Sequence, residues 1–141
     1  MITYLDTSAI VPLLIEEPGS ATCLSLWSAA ADVVCSQLGY VETAAALARA
    51  TRLGRMTAEQ EERGLAQLDQ VWDEMTVVPV DESLVRQAAA LARDHALRGF
   101  DAVHCAAALR IADTDVVAAS ADGDLLAAWR TEGLHVADTR A

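Results

Sequence analysis

Apolar and polar positions along this chain fall into alternating short and long blocks. Residues 2–5, 32–36, 76–80 and 115–119 are short runs rich in strand formers, and 134–136 is a shorter last one. Between them lie longer stretches with apolar residues at helical spacing. They predict helices over about 7–15, 20–30, 38–53, 58–74, 82–96, 101–111 and 123–131. Stop and start signals bound them. Glu16-Glu17-Pro18-Gly19 closes the first helix, with Pro12 near its first turn, where a missing N–H matters least. Gly54 lies just past the third, and Thr57-Ala58-Glu59-Gln60 reads as a capping box for the fourth. Asp81 caps the fifth, Leu97-Arg98-Gly99-Phe100 breaks the chain before the sixth, and Gly133 ends the seventh. Strands alternate with helices throughout, and no two strands are close enough for a tight hairpin. The pattern predicts an α/β fold, a three-layer α/β/α sandwich with a mostly parallel central sheet. The length of 141 residues, without repeat or linker, predicts a single domain over 1–141.

Composition narrows the core. Apolar residues make up 53% of the chain and aromatics 4%, so the core is built from Ala, Val and Leu. The net charge is −11, and all ten cations are Arg. Such a protein is a poor general binder of nucleic-acid backbone, so any such role relies on local Arg and bound metal. Cys23, Cys35 and Cys105 lack CxxC spacing and read as small buried thiols of a reducing cytoplasm. No apolar run approaches the roughly 18 residues of a membrane span, and the N-terminus does not read as a secretory signal. Helices 1 and 2, around Val11, Leu14 and Trp27, carry more apolar surface than one sheet contact needs. They are either well buried or a partner-binding surface.

The candidate chemistry is acidic. Asp6 follows strand 1 and Asp122 follows strand 4; Glu42 lies one helical turn past strand 2; Asp101 opens a helix. Parallel strands carry all four to one sheet edge, where α/β proteins bind ligands. Two carboxylates at 4 Å repel by about 4 kcal/mol at an effective dielectric of 20. A shared edge therefore implies protonation or a cation, and oxygen ligands suit Mg²⁺ or Mn²⁺. Taken singly, Asp6, Asp101 and Asp122 also read as helix caps. Glu42, among Tyr40, Val41, Ala44, Ala45 and Ala46, is the most telling. Asp124 is a candidate fifth acid, and Thr7, Ser8 and Ser120 are caps, turn residues or orienters of the carboxylates. Asp32, Asp69, Asp81, Asp113, Asp115 and the acids of 59–62 read as caps or solvated faces. His104 and Cys105 have no zinc-ligand spacing, so His104 reads as buried and hydrogen-bonded. Arg98 reads as a phosphate contact or a surface ion pair.

Four segments then carry a resemblance. They are Tyr4-Leu5-Asp6-Thr7-Ser8-Ala9, Val41-Glu42-Thr43-Ala44, Phe100-Asp101-Ala102-Val103-His104-Cys105-Ala106-Ala107 and Ser120-Ala121-Asp122-Gly123-Asp124-Leu125. In order and spacing they resemble the PIN domain, and the VapC ribonuclease toxins within it. The resemblance implies a Mg²⁺- or Mn²⁺-dependent endoribonuclease. Asp6, Glu42, Asp101 and Asp122 would be catalytic and hold the metal, with Asp124 assisting. It also implies a cytoplasmic homodimer neutralised by a cognate VapB-like antitoxin lying along helices 1 and 2. The acidic net charge departs from a simple nuclease.

Two rivals stand beside this reading. Receiver domains and haloacid-dehalogenase-like phosphatases share the strand-tip Asp, but both use a pocket lysine, which this chain lacks. The phosphatases also need a second Asp where Ser8 stands. The other rival is a non-catalytic PIN-like module that binds RNA or protein.

Overall fold

A computed structural model describes residues 1–112 and 115–140; Asp113 lies outside the described residues. The elements are β1 (Ile2–Leu5), α1 (Thr7–Leu14), α2 (Ser20–Ala29), β2 (Asp32–Ser36), α3 (Leu38–Arg52) and α4 (Ala58–Asp73). There follow β3 (Thr76–Val78), α5 (Glu82–His95), α6 (Gly99–Arg110), β4 (Val116–Ser120), α7 (Gly123–Thr131) and β5 (His135–Asp138). The five strands form one parallel sheet in the order β3-β2-β1-β4-β5.

The two sheet faces follow the period of two along each strand. Tyr4, Val34 and Ala118 face a core completed by Leu84, Leu91, Leu125 and Trp129. That core lies under α5, α6 and α7. Leu5, Val33, Cys35 and Ala119 face the opposite core, with Ile10, Cys23, Leu68 and Met75 under α1, α2 and α4. Three layers result. The Tyr4 ring packs edge-on against Trp129, with centroids 5.8 Å apart. Cys23, Cys35 and Cys105 are buried free thiols. Among the described residues no helix is long and apolar enough to cross a membrane.

Local chemistry sets most boundaries. Thr57 Oγ1 accepts from Gln60 N–H at 3.1 Å and Gln60 Oε1 accepts from Thr57 N–H at 2.8 Å, the expected capping box. Asp81 caps α5 through Leu84 N–H at 2.8 Å. Three boundaries differ from expectation by two residues. β3 stops at Val78 because Pro79 brings no N–H to the ladder. β5 continues to Asp138, paired with Ser120. α6 starts at Gly99 instead of Asp101. Ala96, at φ 54°, ends α5 in the left-handed region, and Arg98 in extended backbone is the N-cap. Asp101 is therefore the third residue of the helix.

Candidate active site

In this strand order the chain leaves β1 toward β2 on one side, while β4 flanks β1 on the other. That reversal is the topological switch point, and ligands of open α/β sheets bind at its C-terminal edge. Asp6 sits at the tip of β1 and Asp122 just past the tip of β4. The α3 helix after β2 brings Glu42, and α6 brings Asp101.

Asp6 is almost fully enclosed, with 4% of its surface exposed. Although it occupies the N-cap position of α1, its side chain makes no capping bond. Ser8 Oγ donates to its Oδ1 at 2.6 Å and Ser120 Oγ to its Oδ2 at 2.7 Å. The serines are fixed in turn, because Ser8 Oγ accepts from Ala121 N–H at 2.8 Å and Ser120 Oγ from Asp122 N–H at 2.9 Å. Burial pushes the Asp6 carboxyl above its ordinary range, against the two serine bonds.

Glu42 is half-buried one turn into α3. Its Oε1 accepts from Thr7 Oγ1 at 2.9 Å and lies 2.6 Å from His104 Nε2. Burial alone would raise its carboxyl. The hydrogen bond from His104 comes first among what offsets burial, with the Thr7 bond beside it, and the carboxyl is held below its ordinary value. His104 is buried and hydrogen-bonded as expected.

Asp101 and Asp122 meet through Arg98. The guanidinium places Nε 3.2 Å from Asp101 Oδ2 and Nη2 3.6 Å from Asp122 Oδ2. Burial, then the Asp122 charge, raises the Asp101 carboxyl, and Arg98 opposes both. Asp122 is also a helix cap, since its Oδ1 accepts from Asp124 and Leu125 N–H at 2.9 and 3.1 Å. Its Oδ1 caps the helix while its Oδ2 faces Arg98. Asp124 is exposed and supplies a backbone N–H to Asp122.

A pocket of about 390 Å³ opens between α3 and α6, lined by Glu42, Arg98, Gly99, Phe100 and Asp101. Phe100 is 60% exposed on its rim. A larger groove, about 750 Å³, lies apart from the acids between α1 and the α3–α4 hairpin. Val11, Leu14, Leu53 and Met56 line it with Arg49, Arg55 and Arg63.

The acids therefore share one edge, but each rests on a partner from its own chain. Among the described residues no three His, Cys, Asp or Glu side chains stand ready to hold an ion. The donor set still fits a hard divalent cation. It is all oxygen and anionic, and a positive guanidinium already spans two of the carboxylates. Sequence reasoning missed the Tyr4 hydroxyl and the rim position of Phe100. A Tyr in a buried strand needs a hydrogen-bond partner, and a lone aromatic in a helix break has no helical face to fill; both were usable signals.

A five-stranded parallel α/β sandwich with carboxylates at its switch point places an acidic site where open α/β sheets bind ligands. The profile of the PIN domain matches residues 3–128, and the chain belongs to that family. It is 36% identical over 136 residues to Ribonuclease VapC45 of Mycobacterium tuberculosis strain CDC 1551 / Oshkosh, covering 96% of this chain and 94% of that protein. Among solved structures it is similar to Mycobacterium tuberculosis VapC20, a sarcin–ricin loop cleaving toxin. The TM-score is 0.68 at 22% identity, over 89% of this chain and 94% of that one. It is also similar to VapBC2 of Rickettsia felis bound to a promoter DNA fragment, with a TM-score of 0.68 at 13% identity, over 98% of each chain.

Proposed function

We propose that this chain is a metal-dependent endoribonuclease, the toxin of a toxin–antitoxin pair, with Mg²⁺ or Mn²⁺ held by Asp6, Glu42, Asp101 and Asp122. The observation that carries the site is the Arg98 bridge, a cation drawn to two carboxylates at the switch-point edge. Asp124 assists from the rim. The relatives named ribonuclease VapC support RNA as substrate.

Bound there, a hard divalent cation supplies activation of an attacking water and charge neutralisation at the phosphodiester. The protein's own contribution is placement. Ser8 and Ser120 lock the Asp6 carboxylate, and Thr7 and His104 lock one oxygen of Glu42. Arg98 exchanges its carboxylate partners for an RNA phosphate. Phe100 offers a face on which a base stacks.

The partner is a VapB-like antitoxin. The groove between α1 and the α3–α4 hairpin suits a segment with an apolar face and acidic side chains, which Arg49, Arg55 and Arg63 would meet. The α2 helix does not line that groove, which shares only α1 with the surface expected along helices 1 and 2. The protein acts in the cytoplasm as a homodimer; a monomer by light scattering would overturn the dimer.

Cleavage of total cellular RNA by the purified protein with Mn²⁺, with chelator, and beside Asp6→Asn tests this reading. Discrete fragments that need metal and vanish in the variant are expected. A non-catalytic PIN-like module is the rival, favoured by the lack of three converging ligands among the described residues. Mn²⁺ should raise the melting temperature of a metal site by mass action; no rise together with no cleavage would establish the rival.

A further inference from the structure

Glu42 is the end of a chain of hydrogen bonds that begins in the core. His104 Nε2 lies 2.6 Å from Glu42 Oε1, and His104 Nδ1 lies 2.7 Å from Tyr4 Oη. Both rings are buried, at 2% and 0% exposure. Tyr4 Oη also accepts from Ser36 N–H at 3.2 Å. Counting protons fixes the direction of each bond. An ionised Glu42 only accepts, so Nε2 carries a proton. Tyr4 Oη accepts from Ser36 N–H, and its single buried hydroxyl proton needs an acceptor, which a bare Nδ1 supplies. A neutral imidazole protonated at Nε2 satisfies every member. A doubly protonated ring would leave the buried Tyr4 hydroxyl proton without this acceptor, which is costly in a core. The relay engages Oε1 only and leaves Oε2 to a ligand.

We propose that Tyr4 and His104 are positioning residues for Glu42, a buried strand-to-helix relay that sets the imidazole tautomer and thereby the orientation of the carboxylate. The proposal rests on Glu42 as a metal ligand. Partners of this kind orient metal-bound carboxylates, and the ligand then starts from its working rotamer. A ring that merely filled space would not need both nitrogens matched to partners 62 and 100 residues away in the chain.

The first test needs neither metal nor RNA. Long-range ¹H–¹⁵N correlation of the metal-free protein, with His104 assigned by comparison with His104→Gln, is expected to show a protonated Nε2 and a bare Nδ1. The opposite tautomer overturns the relay. The second test is Mn²⁺ affinity by calorimetry. His104→Gln keeps an N–H donor for Glu42 and should stay near the parent value. His104→Leu has similar volume and no donor, and should lose about 10- to 100-fold in affinity. Its kcat should fall while KM for RNA holds. A folded His104→Leu protein with unchanged Mn²⁺ affinity and kcat overturns the proposal. If that variant does not fold, Tyr4→Phe decides, because it keeps the ring against Trp129. It should lose the tautomer preference and weaken Mn²⁺ binding, and unchanged affinity there refutes the relay. A protein that shows the tautomer and the Mn²⁺ losses but cuts no RNA supports the relay and removes the ribonuclease reading alone.

Discussion

Replacing Arg98 by Ala should tighten metal binding and weaken RNA binding, two effects of opposite sign from one side chain. The guanidinium lies 3.2 Å from Asp101 and 3.6 Å from Asp122, and 84% of its surface is exposed. At those distances in bulk water each pair attracts by about 1.2–1.3 kcal/mol. Side-chain entropy and salt reduce an exposed pair to about 0.2–1 kcal/mol, so the two together stabilise the metal-free protein by roughly 1 kcal/mol. Arg98→Ala removes that, and the melting point without metal should fall by about 4 °C for a chain of this size. With metal in place Arg98 has already released the carboxylates, so the loaded protein loses little. By linkage the Mn²⁺ affinity rises by the same 1 kcal/mol, about fivefold. Meanwhile KM for RNA rises, because a phosphate contact is gone. Calorimetry with Mn²⁺, melting with and without Mn²⁺, and steady-state cleavage read the three signs. Weaker Mn²⁺ binding in Arg98→Ala would refute the idea that Arg98 holds the place of the metal.

Asp6→Asn should abolish cleavage and change the pH dependence of stability. Burial raises the Asp6 carboxyl, so on raising pH the unfolded chain loses this proton first. The parent therefore loses stability from about pH 4 up through the raised folded value. Urea midpoints with chelator should move in favour of Asn across that interval, and a flat difference would contradict the burial argument. Gly39→Ala should destabilise by about 1–3 kcal/mol, since a Cβ there overlaps Cys35 Sγ and meets Trp72 at 3.4 Å. An unchanged urea midpoint would mean that α3 has room over β2. Phe100→Ala should raise KM for RNA about tenfold at unchanged kcat, the loss of one stacked base; an unchanged KM would leave Phe100 without a substrate role.

The sequence carried the fold further than it carried the site. Strands and helices were legible because period two and period 3.6 are local signals, and so were the Thr57 box and the Asp81 cap. Errors fell where distant pairing decides. β5 is longer than its apolar run because its last residue pairs with Ser120, and α6 starts early because Ala96 turns left-handed. The acids were legible as positions at strand and helix ends. Thr7, Ser8 and Ser120 were legible as residues that could orient carboxylates, and they do; which acid each serves, and the pairing of His104 with Glu42 and of Arg98 with Asp122, were not. That Tyr4, His104 and Glu42 meet depends on how α3 and α6 cross the tip of β1. The groove was hidden for the same reason. Val11 and Leu14 marked α1 as either well buried or a partner surface, but the α3–α4 hairpin that completes the groove brings Arg49, Arg55 and Arg63 by tertiary packing.

Four carboxylates at one edge pose a folding problem before they pose a catalytic one. If all four converged without a cation, each 4 Å contact would oppose folding by about 4 kcal/mol at an effective dielectric of 20, a large part of a domain's stability. This chain keeps them on separate supports. Asp6 rests on two serines, Glu42 on Thr7 and His104, and the Asp101–Asp122 pair on Arg98. The serine and threonine partners are neutral and stay in place when charge arrives. Arg98 alone is both charged and exposed, so it is the partner that can leave. Among the described residues the lack of three converging ligands is therefore also compatible with the metal-free form of a metal site. The same economy meets the −11 net charge. A net charge of this sign repels RNA over much of the surface, so the proposed reading needs a cation at the rim beside Arg98 and Phe100.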